Sequence, residues 1–265
     1  MPNAKPVRWL PEAGSQFSDE VMVADYQARD PFHPQTTQFL RGLAIHGKRI
    51  LDVGCGCAHL TYMLPRVTGQ LVDAIDPSEP MLRMAIEHQP ADIAQRINWI
   101  HGTVEDNPET LAKKYGLVTA ADSIHWTDWE RIFPILKRIM LPGSYLVIVE
   151  RFKGATAWKT AEKQLCSLFY SEQDQGKYDP VDELVSRGYV QLDGSHISPP
   201  LAITKSVKDY IRERHSRNGC SRARMGEQNV RSFDIQMTDL LEAFAGSDGL
   251  IRYEAYTKLR WVTVL

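Results

Sequence analysis

The chain has 265 residues, with 31 Lys and Arg against 33 Asp and Glu, and a formal net charge of −2 at neutral pH. That near balance excludes any case for nucleic acid or membrane binding built on global charge. The length suits one large α/β domain or two small ones, and no uncharged apolar run is long enough to span a bilayer.

Residues 1 to about 20 are punctuated by Pro and Gly and are expected to be irregular. No apolar run follows the first charges, so no signal peptide is expected, and a cytoplasmic location fits. Phe39, Leu40, Leu43 and Ala44 recur at helical spacing within 35–46. Short apolar runs at 49–54, 70–75, 97–101, 117–121 and 144–150 read as strands, alternating with helical segments near 58–66, 79–89, 108–115 and 128–140. Ser78 and Asn107 are expected N-caps, with Pro80 and Pro108 in the first turns that follow. Pro134 predicts a kink, or a helix that starts later. Such alternation gives a doubly wound, mostly parallel sheet with its ligand beyond the carboxyl ends of the strands.

After Glu150 the rhythm changes. Residues 151–188 carry helical patterns with Trp158, Phe169, Tyr170 and Tyr178, and Gly188 to Ile197 suits a strand. Residues 206–216 and 236–245 read as helices, and Tyr253 to Val264 closes the chain as a strand. The expected organisation is one domain, 1–265: an N-terminal helical or irregular segment (1–48), a core (49–150), cap and edge elements (151–250) and a closing strand (251–265). Cys55, Cys57, Cys166 and Cys220 form neither a CxxC pair nor a zinc spacing. Free thiols and no metal site are expected.

The most informative stretch is Leu51-Asp52-Val53-Gly54-Cys55-Gly56-Cys57-Ala58, followed by Asp76 at the end of the next apolar run. It describes a buried strand turning sharply into a helix, with glycines that let the backbone approach a ligand closely. An acid ending the second strand is placed for the two hydroxyls of a ribose. A dinucleotide fingerprint would require glycine at 59, where His59 stands; the small residues fall at 54, 56 and 58 instead.

On these residues the chain resembles the class I S-adenosylmethionine (SAM)-dependent methyltransferases, in particular the small-molecule branch that includes trans-aconitate methyltransferase-like enzymes. Further motifs carry the resemblance in order: Asp76-Pro77-Ser78-Glu79-Pro80-Met81-Leu82, Gly102-Thr103-Val104-Glu105-Asp106, Ser123-Ile124-His125-Trp126 and Leu141-Pro142-Gly143. Upstream, Tyr26 to Pro34 is similar to the family's N-terminal Tyr…Arg-Pro…Tyr-Pro segment. The resemblance implies a seven-stranded sheet, a helical cap after the fifth strand, and SAM as cofactor. It implies a cofactor set of Tyr26, Arg29, Asp52, Gly54, Cys55, Gly56, Asp76, Pro77, Met81, Thr103, Val104, Glu105 and Ala121. Asp76 would accept from the ribose hydroxyls, its alternative being an N-cap. Asp52 would support the glycine turn and the methionyl amino group, its alternative a structural turn acceptor. Arg29 would meet the cofactor's carboxylate. Ala58, where relatives carry glycine, should narrow the turn.

Methyl transfer from a sulfonium is an in-line displacement, so the protein must hold the nucleophile behind the methyl carbon and exclude water. A carboxylate nucleophile needs no base, whereas a hydroxyl does. His125 and Asp122 are the candidate catalytic residues. His125 would act as a base or merely orient a turn; Asp122 would favour the sulfonium, pair with an amine, or serve as a plain hydrogen-bonding group. Trp126, Arg151, Trp158 and His215 are candidates for contact with a small-molecule acceptor. The basic stretch Lys205, Lys208, Arg212, Arg214, Arg217, Arg222, Arg224 and Arg231 reads as an RNA guide, an anion clamp or a solvated helix face. The functional expectation is methylation at oxygen of a carboxylate or hydroxyl. Alternatives are cyclisation of SAM releasing methylthioadenosine, RNA methylation, and a non-catalytic SAM sensor; nucleic acid is not expected as a partner, and no oligomeric state is implied.

Overall fold

The computed structural model describes residues 11–111, 114–169 and 178–265. Tyr170 and residues 1–10, on which some expectations fall, lie outside the described residues. In chain order the elements are α1 (Glu20–Tyr26), α2 (Gln35–Leu43), β1 (Arg49–Val53), α3 (Leu64–Thr68), β2 (Val72–Asp76), α4 (Glu79–Glu87), β3 (Ile97–His101), β4 (Tyr115–Ala121), α5 (Trp129–Ile139) and β5 (Leu146–Lys153). Then follow α6 (Lys159–Phe169), α7 (Pro180–Ser186), β6 (Val190–Ile197), β7 (Leu201–Ser206), α8 (Val207–His215), α9 (Arg222–Met225), α10 (Glu227–Glu242) and β8 (Leu250–Val264).

The strands form one sheet in the order β3-β2-β1-β4-β5-β8-β6, with β7 also paired to β8. Strands β1 to β5 are parallel and β8 is antiparallel to β5, β6 and β7. This is the doubly wound fold of class I methyltransferases, with the order reversing between β1 and β4. At that switch point the two neighbouring crossovers leave on opposite faces and open a crevice above the carboxyl ends.

Burial explains why β1, β2 and β4 read so clearly. All of β2 and all but the ends of β1 and β4 are buried, as expected for strands covered on both faces. One apolar cluster joins Leu51, Val53, Val118 and Ala120 to Ile132, Phe133, Leu136 and Ile139 of α5. A second, on the other side of the sheet, joins Ile50, Val72, Ala74 and Leu117 to Leu40 of α2 and Leu64 of α3. A third belongs to the cap: Leu165 of α6, Ile211 of α8 and Phe233, Met237 and Leu241 of α10 pack on Ile203, Ile251 and Tyr253. The 15-residue β8 contributes to all three, through Val262, Leu259 and the Ile251, Tyr253 and Ala255 end. One flank carries β5; the other carries β6 and then β7.

Several boundaries differ from expectation. The sheet has eight strands and not seven, because β7 forms against β8 directly after Pro199-Pro200. The segment near 58–66 is helical only from Leu64, since Ala58 adopts a left-handed φ of 66° that a helix cannot continue. The expected 108–115 helix gives way to turns at 108–111, and Tyr115 already belongs to β4; residues 112–113 lie outside the described residues. Asn107 does not cap there: its amide donates to the Thr103 carbonyl at 2.9 Å. Ser78 does cap α4, accepting from Met81 N at 3.2 Å. Helix α5 starts at Trp129, capped by Asp128, and runs through Pro134 without a later start. Helix α10 begins nine residues before the expected 236. Among the described residues, no helix is long and apolar enough to cross a membrane.

Candidate active site

The crevice at the switch point opens into a cavity of about 1020 Å3. Its floor is made by residues that end the strands: Val53 and Gly54 after β1, Ile75 and Asp76 in β2, Ala121 and Asp122 after β4, and Arg151 and Lys153 in β5. Its roof is the N-terminal segment, through Gly14, Ser15, Phe17, Ser18, Tyr26 and Arg29. Phe17 is fixed there by its carbonyl, which accepts from Ser78 Oγ at 2.6 Å, and by edge contacts with Tyr26 and Trp126.

Asp76 lies at the end of β2, 7 % exposed, with its carboxylate against the glycine turn. Oδ2 accepts from Gly56 N at 2.7 Å and Oδ1 from Ser78 N at 2.8 Å. Each oxygen keeps one acceptor site for a ligand hydroxyl. Burial pushes its pKa up to about 6, although these two N–H groups hold it down. The turn itself needs its glycines: Gly54 (φ 65°) and Gly56 (φ 53°) are left-handed, and a Cβ on Gly54 would sit 2.5 Å from Ser123 Cβ. Ala58 holds the same backbone region without a glycine's freedom, a strain of about 1–2 kcal/mol. Pro77, Met81, Thr103, Val104 and Glu105 continue the same wall. Glu105 is fixed by accepting from Asp128 N at 2.9 Å.

Asp52 and Cys55 do not line the cavity. The Asp52 carboxylate accepts from Thr61 Oγ1 and Thr119 Oγ1, each at 2.7 Å, and is 1 % exposed. Asp52 is thus a buried brace between β1, β4 and the turn before α3. The Cys55 thiol is buried in the apolar cluster below the turn. Burial drives the Asp52 pKa up to about 6 from 3.8, against the two hydroxyl donors. A folded pKa above the unfolded one adds stability below pH 4 that is lost as pH rises through 6. Asp52→Asn removes that loss and keeps partners for both threonines. The variant should gain on wild type with rising pH, by about 2 kcal/mol between pH 4 and 7. Urea denaturation at stepped pH measures this; a constant difference across the range would refute it.

Tyr26 and Arg29 both line the cavity and touch each other, the Arg29 Nη1 donating to Tyr26 OH at 3.2 Å. Arg29 is also tied to the cap: Nε donates to Ser216 Oγ at 2.9 Å and Nη2 to the Ser216 carbonyl at 2.7 Å. Asp122, with Ala58 one of two non-glycine residues of positive φ (51°) among the described residues, faces the same space. Its Oδ2 lies 2.9 Å from both Nε and Nη2 of Arg151 and 4.0 Å from Arg29 Nη1. Burial raises the Asp122 pKa, but Arg151 and then Arg29 outweigh it and leave it below the ordinary value. Asp122 thus lines the cavity as an ionised carboxylate whose charge is met by Arg151 and, more distantly, by Arg29. His125 and Trp126 follow β4 in a short 3-10 turn and line the cavity, their rings 4.9 Å apart.

Two expected acceptor contacts are not brought to the site. Trp158 is buried in the cap cluster, its Nε1 donating to Tyr210 OH at 3.1 Å. His215 is fully buried, with Nδ1 2.8 Å from the Cys220 carbonyl and Nε2 2.6 Å from Asp234 Oδ1. It orders the cap; its neighbour Arg217 lines the cavity, and Ser216 holds Arg29 there. The basic stretch is largely paired inside the molecule: Lys205 with Asp30 and Glu213, Arg212 and Arg222 with Asp25, and Arg214 with Glu162. The sequence reading passed over Phe17, Asp30, Phe152, Lys153, Glu213 and Met225, all of which line the cavity. Among the described residues, no group of three or more His, Cys, Asp or Glu is arranged to hold a metal.

Comparison with known proteins bears on the fold and on the relatives of the chain. Residues 50–143, from β1 to the turn after α5, match the family model of a methyltransferase domain. A ubiquinone biosynthesis O-methyltransferase from Hydrogenovibrio crunogenus is 26 % identical over 151 residues, covering 56 % of this chain and 59 % of that one. The human mitochondrial protein of the same description is 30 % identical over 135 residues, covering 50 % of this chain and 35 % of its own length. The chain thus spans less than two thirds of these relatives. A SAM-dependent methyltransferase structure from Thiobacillus denitrificans superposes with a TM-score of 0.54 at 13 % identity, covering 93 % of this chain and 97 % of that one; it bears on the fold.

Proposed function

We propose that this chain is a SAM-dependent methyltransferase that methylates an oxygen, of a carboxylate or a hydroxyl, on a small acceptor. The observation that carries this reading is the buried Asp76 carboxylate beside a turn of left-handed glycines, at the switch point of a doubly wound sheet. The residues present fit the cofactor. Asp76 offers two free acceptor sites for ribose hydroxyls, Ile75, Met81 and Val104 supply apolar wall, and Thr103 and Glu105 supply polar atoms at its edge. Arg29 keeps two of its five N–H groups for a carboxylate beyond its bonds to Ser216 and Tyr26. The ubiquinone-pathway relatives are named as O-methyltransferases, and the Thiobacillus structure contains S-adenosylhomocysteine.

When bound, SAM supplies an electrophilic methyl on a sulfonium. Phe17, Tyr26 and Trp126 close the roof and exclude water from it. His125 lines the same cavity and would take the proton where the acceptor is a hydroxyl; a carboxylate needs no such step. Room for an acceptor favours intermolecular transfer over cyclisation: ligand pockets run to about 300–1,000 Å3, and this cavity stands at the upper end of that range. The internal pairing of the basic stretch weighs against an RNA substrate. Calorimetry with S-adenosylhomocysteine, followed by product analysis with methyl-labelled SAM, tests the reading. Saturable binding and labelled methyl ester or ether support it; absence of binding, or methylthioadenosine formed without acceptor, overturns it.

A further inference from the structure

Strand β5 turns Arg151 and Lys153, two residues apart, toward the same cavity. Their circumstances differ. Arg151 is used up by Asp122, by the Asp30 carbonyl at 2.8 Å and by His59 Nδ1 at 3.1 Å. Lys153 Nζ is buried among ring faces, 3.7 Å from the centroid of Tyr210 and 5.1 Å from that of Tyr253. Among the described residues its ion pair is with Glu213 Oε1 at 3.0 Å. Glu213 is itself shared, with Lys205 at 2.7 Å and Arg217 at 3.3 Å, while Asp30 is taken by Lys205 and by Tyr253 OH. Around this end of β5, among the described residues, Arg29, Arg151, Lys153, Lys205 and Arg217 interlock with only Asp30, Asp122 and Glu213. Among the described residues a positive excess remains here. The same cavity is lined by Phe152, Phe169, Met225 and Ala255, an apolar surface unsuited to a second charge.

Resting on the methyltransferase reading, we propose that Lys153 and Arg217 form an anion subsite for the acceptor. Its substrate class is then a carboxylic acid with an apolar body, the acid seated between Lys153 and Arg217 and the body against Phe152, Phe169 and Met225. Burial lowers the Lys153 pKa to about 8, which leaves it mostly charged at neutral pH and ready to gain from an anionic partner.

The test uses the full chain saturated with S-adenosylhomocysteine for binding, and with labelled SAM for turnover. The probes are benzoate, 3-phenylpropionate and octanoate, their primary amides, succinate and inorganic phosphate. The apolar acids should bind at least tenfold tighter than their amides and than succinate or phosphate. Lys153→Met should weaken them at least tenfold, Lys153→Arg should restore part of that loss, and Arg217→Gln, at a half-exposed position, should give a smaller loss. S-adenosylhomocysteine affinity should be the same in all variants, which also reports that they are folded. Acids that bind no better than amides, or equally well to Lys153→Met, overturn the subsite and leave the methyltransferase reading standing. Tighter binding of phosphate or succinate overturns the class assignment. Failure of wild type to bind S-adenosylhomocysteine overturns the underlying reading instead.

Discussion

Asp76→Ala is expected to weaken S-adenosylhomocysteine binding by at least about a hundredfold while the chain stays folded. Hydrogen bonds to a charged group are worth about 1.5–3 kcal/mol each, and the carboxylate has two acceptor sites left for the ribose. Losing both removes about 3–6 kcal/mol of binding, or two to four orders of magnitude. The same substitution frees Gly56 N and Ser78 N from their only side-chain acceptor, which loosens the turn that cradles the cofactor's tail. Stability should change less than affinity, because the lost acceptors are offset by release of a carboxylate whose burial raises its pKa to about 6. Asp76→Asn separates these effects: one acceptor oxygen remains, so the affinity loss should be intermediate. Calorimetry and urea denaturation on the three proteins decide the matter. Binding within threefold of wild type for Asp76→Ala would end the nucleoside reading of this crevice.

The parallel core was legible because strands buried on both faces appear as unbroken apolar runs, and because the turn glycines stand at positions where a Cβ is excluded. Strand β7 was not, since its six residues are held by the partner strand β8, some fifty positions later. The start of α10 was hidden in the same way. Its first turns are polar, and Phe233, Met237 and Leu241 are the residues that bury it against the cap. At the site, residue type and position along a strand pointed to both Asp76 and Asp52 as cofactor contacts. Which of them faces the cavity was decided by Thr61 and Thr119, whose hydroxyls close over Asp52. Lys153 and Glu213 escaped notice because such residues are ordinarily solvated. Their burial follows from β8 carrying β5 beside β7 and α8, a neighbourhood that no local pattern records.

Arg151→Met should be the most destabilising single change in the site, at about 3–5 kcal/mol. The guanidinium donates to Asp122, to the Asp30 carbonyl and to His59, and its Cζ lies 4.3 Å from the Phe32 ring centroid. It therefore joins the end of β4, the segment after α1 and the glycine turn. Removing it leaves the Asp122 carboxylate, only 20 % exposed, with Arg29 at 4.0 Å as its nearest remaining cation, in a backbone conformation that already carries strain. His59, whose pKa is held near 3 by burial and then by Arg151 and Arg29, would lose part of that suppression and titrate higher. The uncompensated charge can be removed separately from the lost packing. Asn tolerates a left-handed φ, so Asp122→Asn in the Arg151→Met background should recover about 2 kcal/mol or more. Asp122→Asn alone should cost stability, because it leaves Arg151 buried without its anion. Denaturation of the four proteins closes the cycle. A single Arg151→Met variant within about 1 kcal/mol of wild type, or no recovery in the double variant, would show that this ion pair does not hold the acceptor side of the cavity together.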